Sequence, residues 1–121
     1  MRILRSAILV CVVVGCARKP VSFQTQIQPI LNNRCVGCHN AAQAPGRVVL
    51  TSYDSLMNSK AFRWKKPIVV PGNPSESWLY LVCETDQQHF RMPPDTERVD
   101  NIPKDEVVLI GKWILQGAKD N

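Results

Sequence analysis

The sequence predicts a small all-α domain, and three observations predict it. Apolar residues recur at helical spacing in several separate segments, strand-type alternation is weak throughout, and a Cys-x-x-Cys-His run, Cys35 to His39, stands where a helical turn would carry it. A chain of 121 residues fits one domain.

The N-terminus reads as an export signal. Arg2 and Arg5 supply positive charge, Ala7 to Val14 form a nearly unbroken apolar run, and Gly15 precedes Cys16. The run is too short to span a bilayer. Val13-Val14-Gly15-Cys16 resembles a bacterial lipobox. That resemblance implies cleavage before Cys16 and lipid on its sulfur, anchoring the chain through acyl methylenes worth about 0.8 kcal/mol each. Ala17, not Asp, follows Cys16, which in a Gram-negative host implies sorting to the outer membrane. Residues 16–121 then suffice for a modest core.

The helices follow in order. Phe23, Ile27, Ile30 and Leu31 lie at helical spacing, with Pro29 expected to kink that helix or mark its restart. Gln43 to Gly46 is turn-like. Thr51 or Ser52 can cap a short helix through Met57. Residues 59–72 read as loop and turn, with Pro71-Gly72 the clearest turn. Asn73, Pro74 and Glu76 resemble a helix start, and Trp78, Leu79, Val82 and Cys83 give its apolar face. Residues 84–101 are polar and proline-bearing. A last helix is expected from about Lys104 to Gln116, with Val107, Ile110 and Ile114 on one face, Asp105 and Glu106 at its start and Gly117 at its end. Phe23 and Trp113 are expected where the terminal helices cross.

The chemistry lies in Cys35-Val36-Gly37-Cys38-His39, which reads as covalent haem attachment. On a helical turn two thiols three residues apart face one way and can form thioethers with the two vinyl groups of one porphyrin. His39, four residues from Cys35, can then reach the iron. Zinc would need two further ligands, and only Cys83, His89 and carboxylates remain. A thiol-redox pair would need a βαβ setting that the chain does not offer. Of five cysteines, Cys11 falls in the signal and Cys83 reads as a small apolar residue, with a reactive thiol as the alternative.

An electron carrier needs a sixth iron ligand, and Met/His ligation suits a cytochrome c. Met92 is the expected ligand because Pro93 and Pro94 stiffen its loop; His89 is the alternative, and Met57 reads as core filler. Arg91 can fork onto a haem propionate or stand exposed. The Pro45 carbonyl is a candidate partner for the second ring nitrogen of His39. The net charge of +5 falls to +3 without Arg2 and Arg5, and two propionates would bring it towards neutral. The basic balance is therefore not a nucleic-acid signal. Arg63-Trp64-Lys65-Lys66, the one dense basic patch with an aromatic, reads as a solvated loop rather than a docking site.

From about Phe23 to Ala118 the sequence resembles a class I cytochrome c domain, and within that class the planctomycete-type cytochrome c family. The resemblance rests on Ile27-Gln28-Pro29-Ile30-Leu31 before the haem motif, the Pro71 to Ser77 segment (Pro-Gly-x-Pro-x-x-Ser), Arg91-Met92-Pro93-Pro94, and the closing run Val107 to Ala118. Pro103 departs from the family, which usually opens the last helix on Ser or Thr. The resemblance implies an all-α cytochrome c fold with crossing terminal helices around one covalent haem c, His and Met axial ligands, and electron transfer.

The expected organisation is a signal at 1–15, a lipidated tether at 16–22, the cytochrome domain at 23–118 and a tail at 119–121. The expected product is a mono-haem lipoprotein of the cell envelope. It would pass single electrons between redox partner proteins, with no catalytic acid, base or nucleophile of its own. The rivals are a haem sensor or peroxidase-like protein with an open sixth site, and a structural zinc lipoprotein.

Overall fold

The structure, a computed structural model, describes residues 19–63, 65–97 and 100–121. Cys16 and the whole export segment therefore lie outside the described residues, as do Trp64, Arg98 and Val99. Among the described residues no helix is long and apolar enough to cross a membrane.

A π-helical turn (Phe23–Ile27) leads directly into α1 (Gln28–Arg34); α2 (Tyr53–Asn58), β1 (Lys60–Ala61), β2 (Lys66–Pro67), α3 (Trp78–Glu84) and α4 (Lys104–Leu115) follow. The fold is mostly helical. One correction to the all-α expectation is the antiparallel ribbon, which pairs Lys60 with Pro67 and Ala61 with Lys66. Two residues per strand are too few for alternation to show in sequence.

Pro29 does mark a restart. It has no N–H to continue the ladder, and it sits in the first turn of α1. Just before it, the Ser22 carbonyl accepts from both Gln26 (3.1 Å) and Ile27 (3.2 Å), the second bond spanning five residues. Ser22 also caps the turn, its Oγ accepting from Thr25 N at 3.2 Å. In α2 the cap is Ser52: its hydroxyl accepts from Ser55 N while Ser55 Oγ accepts from Ser52 N.

The Phe23 turn and the end of α4 are packed together. The Phe23 ring lies 5.3 Å from Trp113 and 5.1 Å from Tyr53, centroid to centroid. Trp113 Nε1 donates to Lys119 O (2.9 Å), Tyr53 Oη to Ala118 O (2.8 Å), and Val21 N to Gln116 Oε1 (2.7 Å). Ile27, Leu31, Leu56, Ile110 and Ile114 complete the fully buried centre. α4 starts at Pro103, which offers no side-chain cap; Asp105 and Glu106 stabilise its first turn instead, through the helix dipole. Gly111, a poor helix former, has a packing reason: a Cβ there would meet the Tyr80 ring of α3 at 2.8 Å.

The expected helix start at Asn73 divides in two. Pro74–Glu76 forms a 3₁₀ turn, and α3 begins only at Trp78. Between them Ser77 is fully buried. Its hydroxyl accepts from Val70 N (2.9 Å) and donates to Asn73 O (2.8 Å). The side chain thus ties the segment entering the turn to the helix leaving it. Replacing Ser77 by Ala leaves a buried N–H unpaired and is expected to cost about 1–3 kcal/mol, read from denaturant midpoints; a change below a few tenths would contradict this bonding.

Candidate functional site

The Cys-x-x-Cys-His run coils on from α1. Cys35 N and Val36 N both bond Leu31 O (2.9 Å each), and Cys38 N (3.1 Å) and His39 N (2.8 Å) return to Cys35 O. The turn is anchored at its base. Arg34 donates to Glu106 through Nε (2.9 Å) and Nη2 (3.1 Å), locking the end of α1 to the first turn of α4.

His39 is held twice. Its carbonyl accepts from Leu50 N at 3.0 Å, and its Nδ1 lies 3.1 Å from Val48 O. A carbonyl can only accept, so Nδ1 carries the proton and Nε2 keeps a free lone pair. The partner is Val48 and not Pro45, which corrects the sequence expectation. Gly46 and Arg47 both adopt the left-handed conformation (φ 63° and 61°). That reversal carries the chain back past the ring and presents the carbonyl of Val48.

These groups face an open cavity of about 360 Å³, within the range of small-molecule and cofactor sites. Cys35, His39, Cys83, His89 and Met92 all line it, among Val48, Leu50, Ile68, Trp78, Leu79 and Val82. Each element contributes for a local reason. Trp78, Leu79, Val82 and Cys83 form one face of α3, as their spacing predicts. Met92 is carried by the loop after α3, and its N–H bonds Val82 O at 2.8 Å, tying the loop back to that helix. Met57 packs against the core and does not line the cavity.

Cys38 and Arg91 are placed differently. Cys38 is exposed and is not part of the cavity wall. Arg91 forms an ion pair with Asp95, and its Nε is buried without a hydrogen-bond partner. Two features escaped the sequence reading. One is the Val48 carbonyl. The other is the pair Phe62 and Phe90, which line the cavity while 62 % and 45 % exposed. With Met92, three of the five large apolar side chains exposed among the described residues belong to this one cavity. Exposed apolar groups gathered at one mouth mark a surface that something apolar covers.

Burial sets the thiol chemistry. It pushes the Cys35 thiol up to about 11 and the Cys83 thiol up to about 12, with Cys35 itself adding to the Cys83 shift. At pH 8 only about a thousandth of Cys35 is then thiolate. In the haem-free protein, iodoacetamide is expected to label the exposed Cys38 first and Cys83 last, as mapped by peptide mass. The sign of the linked stability follows. Both pKa values are raised above the unfolded value of about 9, so the contribution is whole below pH 9 and is lost as pH rises towards 11 to 12.

The family model of planctomycete cytochrome C matches residues 35–96, just over half of the chain. The chain belongs to that family.

Membership in the planctomycete cytochrome C family implies covalently bound haem c, and the cavity fits that group. Its wall is apolar, its mouth gathers exposed apolar side chains, and an imidazole of defined tautomer stands beside a thiol within it. Among the described residues no cluster of three or more His, Cys, Asp or Glu side chains is placed to hold a metal ion. A likeness to a solved structure concerns the fold alone: Kuenenia stuttgartiensis hydrazine synthase, 24 % identical, with a TM-score of 0.52 over 81 % of this chain. This cytochrome domain spans 16 % of that chain's length. No curated protein matches the sequence.

Proposed function

We propose that this chain is a mono-haem electron carrier of the cell envelope, anchored through lipid on Cys16. One observation carries the reading: a single apolar cavity gathers Cys35, His39 and Met92, with His39 Nδ1 bonded to Val48 O so that Nε2 is free for iron. Cys35 from the wall and Cys38 from the adjoining surface turn would hold the porphyrin through thioethers. His39 would be the proximal ligand and Met92 the distal one. The buried Arg91 Nε would find its acceptor in a propionate.

When bound, the haem supplies a reversible one-electron couple. The chain's part is to orient and insulate it. The Leu50 and Val48 bonds hold His39 in place. The apolar faces of α3 and of Val48–Leu50 exclude water. The Val82–Met92 bond ties the loop that carries Met92 to α3. Redox proteins are the partners, and nucleic acid is not among them. No catalytic acid, base or nucleophile is assigned.

The test is to produce the exported protein with haem-maturation machinery and record spectra in both oxidation states, then add carbon monoxide to the reduced form. A carrier cycles reversibly and resists the ligand. Prompt stoichiometric binding would favour a sensor or peroxidase-like protein, and a colourless product would favour zinc. Lipidation is tested on the same sample: the mature N-terminus should be a lipid-modified Cys16 by mass.

A further inference from the structure

The basic stretch that the sequence alone assigns to a solvated loop lies at the edge of the haem cavity. Ala61 and Phe62 line that cavity and also a second concavity of about 600 Å³, whose wall includes Arg47, Lys60 and Lys65. Among the described residues no carboxylate lines either one. Residues 60–67 contain Lys60, Arg63, Lys65 and Lys66 and no acid. The Arg47 guanidinium lies 5.1 Å from the centre of the Phe62 ring, a cation–π distance that holds the aromatic among the cations. Phe62 nevertheless stays 62 % exposed. The loop that brings Met92 is of mixed charge: it carries Asp86, Asp95 and Glu97 but also Arg91, which is ion-paired with Asp95.

We propose that the Arg47–Lys60–Phe62–Lys65 face is the docking surface for this protein's redox partner, and that the partner presents an acidic surface around its own redox centre. This rests on the electron-carrier reading above. The face has the build of a transient interface, an exposed aromatic centre within a charged rim. Cations clustered without acids steer a negatively charged surface over distances near the Debye length, about 8–10 Å at ordinary salt. Phe62 also lines the haem cavity, so a partner seated there would lie beside the residues that would hold the cofactor.

The experiment uses the haem-loaded full chain. A mediated redox titration first establishes the reversible couple; its absence would remove the carrier reading and this proposal with it. Interfacial electron-transfer rates are then measured on electrodes bearing carboxylate-terminated and amine-terminated monolayers. The carboxylate surface should be the faster, and its rate should fall as salt rises. The double variant Lys60→Glu, Lys65→Glu should slow it about tenfold or more. The equal charge change Lys112→Glu, Lys119→Glu, at positions lining neither concavity, should leave it within about twofold. Equal effects of the two double variants, or a faster amine surface, would overturn the proposal while the titration keeps the carrier reading. A ribbon variant with a wild-type rate that loses binding to phosphatidylglycerol vesicles would overturn it in favour of a membrane surface.

Discussion

Replacing Met92 by alanine is expected to lower the reduction potential and abolish the near-infrared band of ferric thioether ligation. Axial ligands set haem potentials over about 0.8 V, and the thioether raises the potential by favouring the reduced iron. A drop of roughly 0.1 V or more is therefore expected from its loss. The protein should remain folded, because Met92 is 39 % exposed and is tied to α3 through its backbone N–H, which alanine keeps. His89 lines the same cavity, so the variant's new sixth ligand is an imidazole or water. His89→Ala alone should leave potential and band unchanged. Survival of the band in the Met92 variant, or its absence from the unmodified ferric protein, would overturn the assignment of Met92 as the distal ligand.

Replacing Trp113 by alanine is expected to destabilise the fold by about 3–5 kcal/mol, the usual cost of deleting a fully buried large aromatic. Against a typical total of about 5–15 kcal/mol that is a large fraction. Trp113 is 1 % exposed, contacts the Phe23 ring, and donates Nε1 to Lys119 O. Its loss weakens the packing that holds α4 beside the Phe23 turn. Arg34 is fastened to Glu106 on α4, so slackening there reaches Cys35 next in sequence. Trp113→Phe should recover part of the loss. A change below about 1 kcal/mol in chemical denaturation would mean that α4 and the Phe23 turn are not packed in this way.

How far the sequence could be read depended on the range of the interactions. The spacing of Phe23, Ile27, Ile30 and Leu31, and of Val107, Ile110 and Ile114, is a local record of burial, and these residues are buried. Cys35 and His39 share a wall because one helical turn places them together. What remained hidden came from chain reversals. Two consecutive left-handed residues, Gly46 and Arg47, decide that Val48 and not Pro45 meets His39; only the glycine hinted at a reversal. Ser77 stood in the sequence only as the close of the Pro71 to Ser77 segment, and nothing local showed that its hydroxyl bonds Val70 and Asn73 upstream. The π-helical turn arises where Pro29 interrupts the ladder, a position visible in sequence although the register it adopts is not. The ribbon of β1 and β2 is too short to leave a pattern, so the basic stretch it carries had no visible location beside the cavity.

The account stands most directly on whether one porphyrin is covalently bound to this chain through Cys35 and Cys38. Intact mass spectrometry of the exported, matured protein after a denaturing acid–organic wash tests it. The polypeptide is predicted to weigh one haem more than its sequence and any lipid, with the added mass mapping to the peptide containing both cysteines. A chain that emerges from the wash at its bare mass, its colour left in the organic phase, would contradict the account.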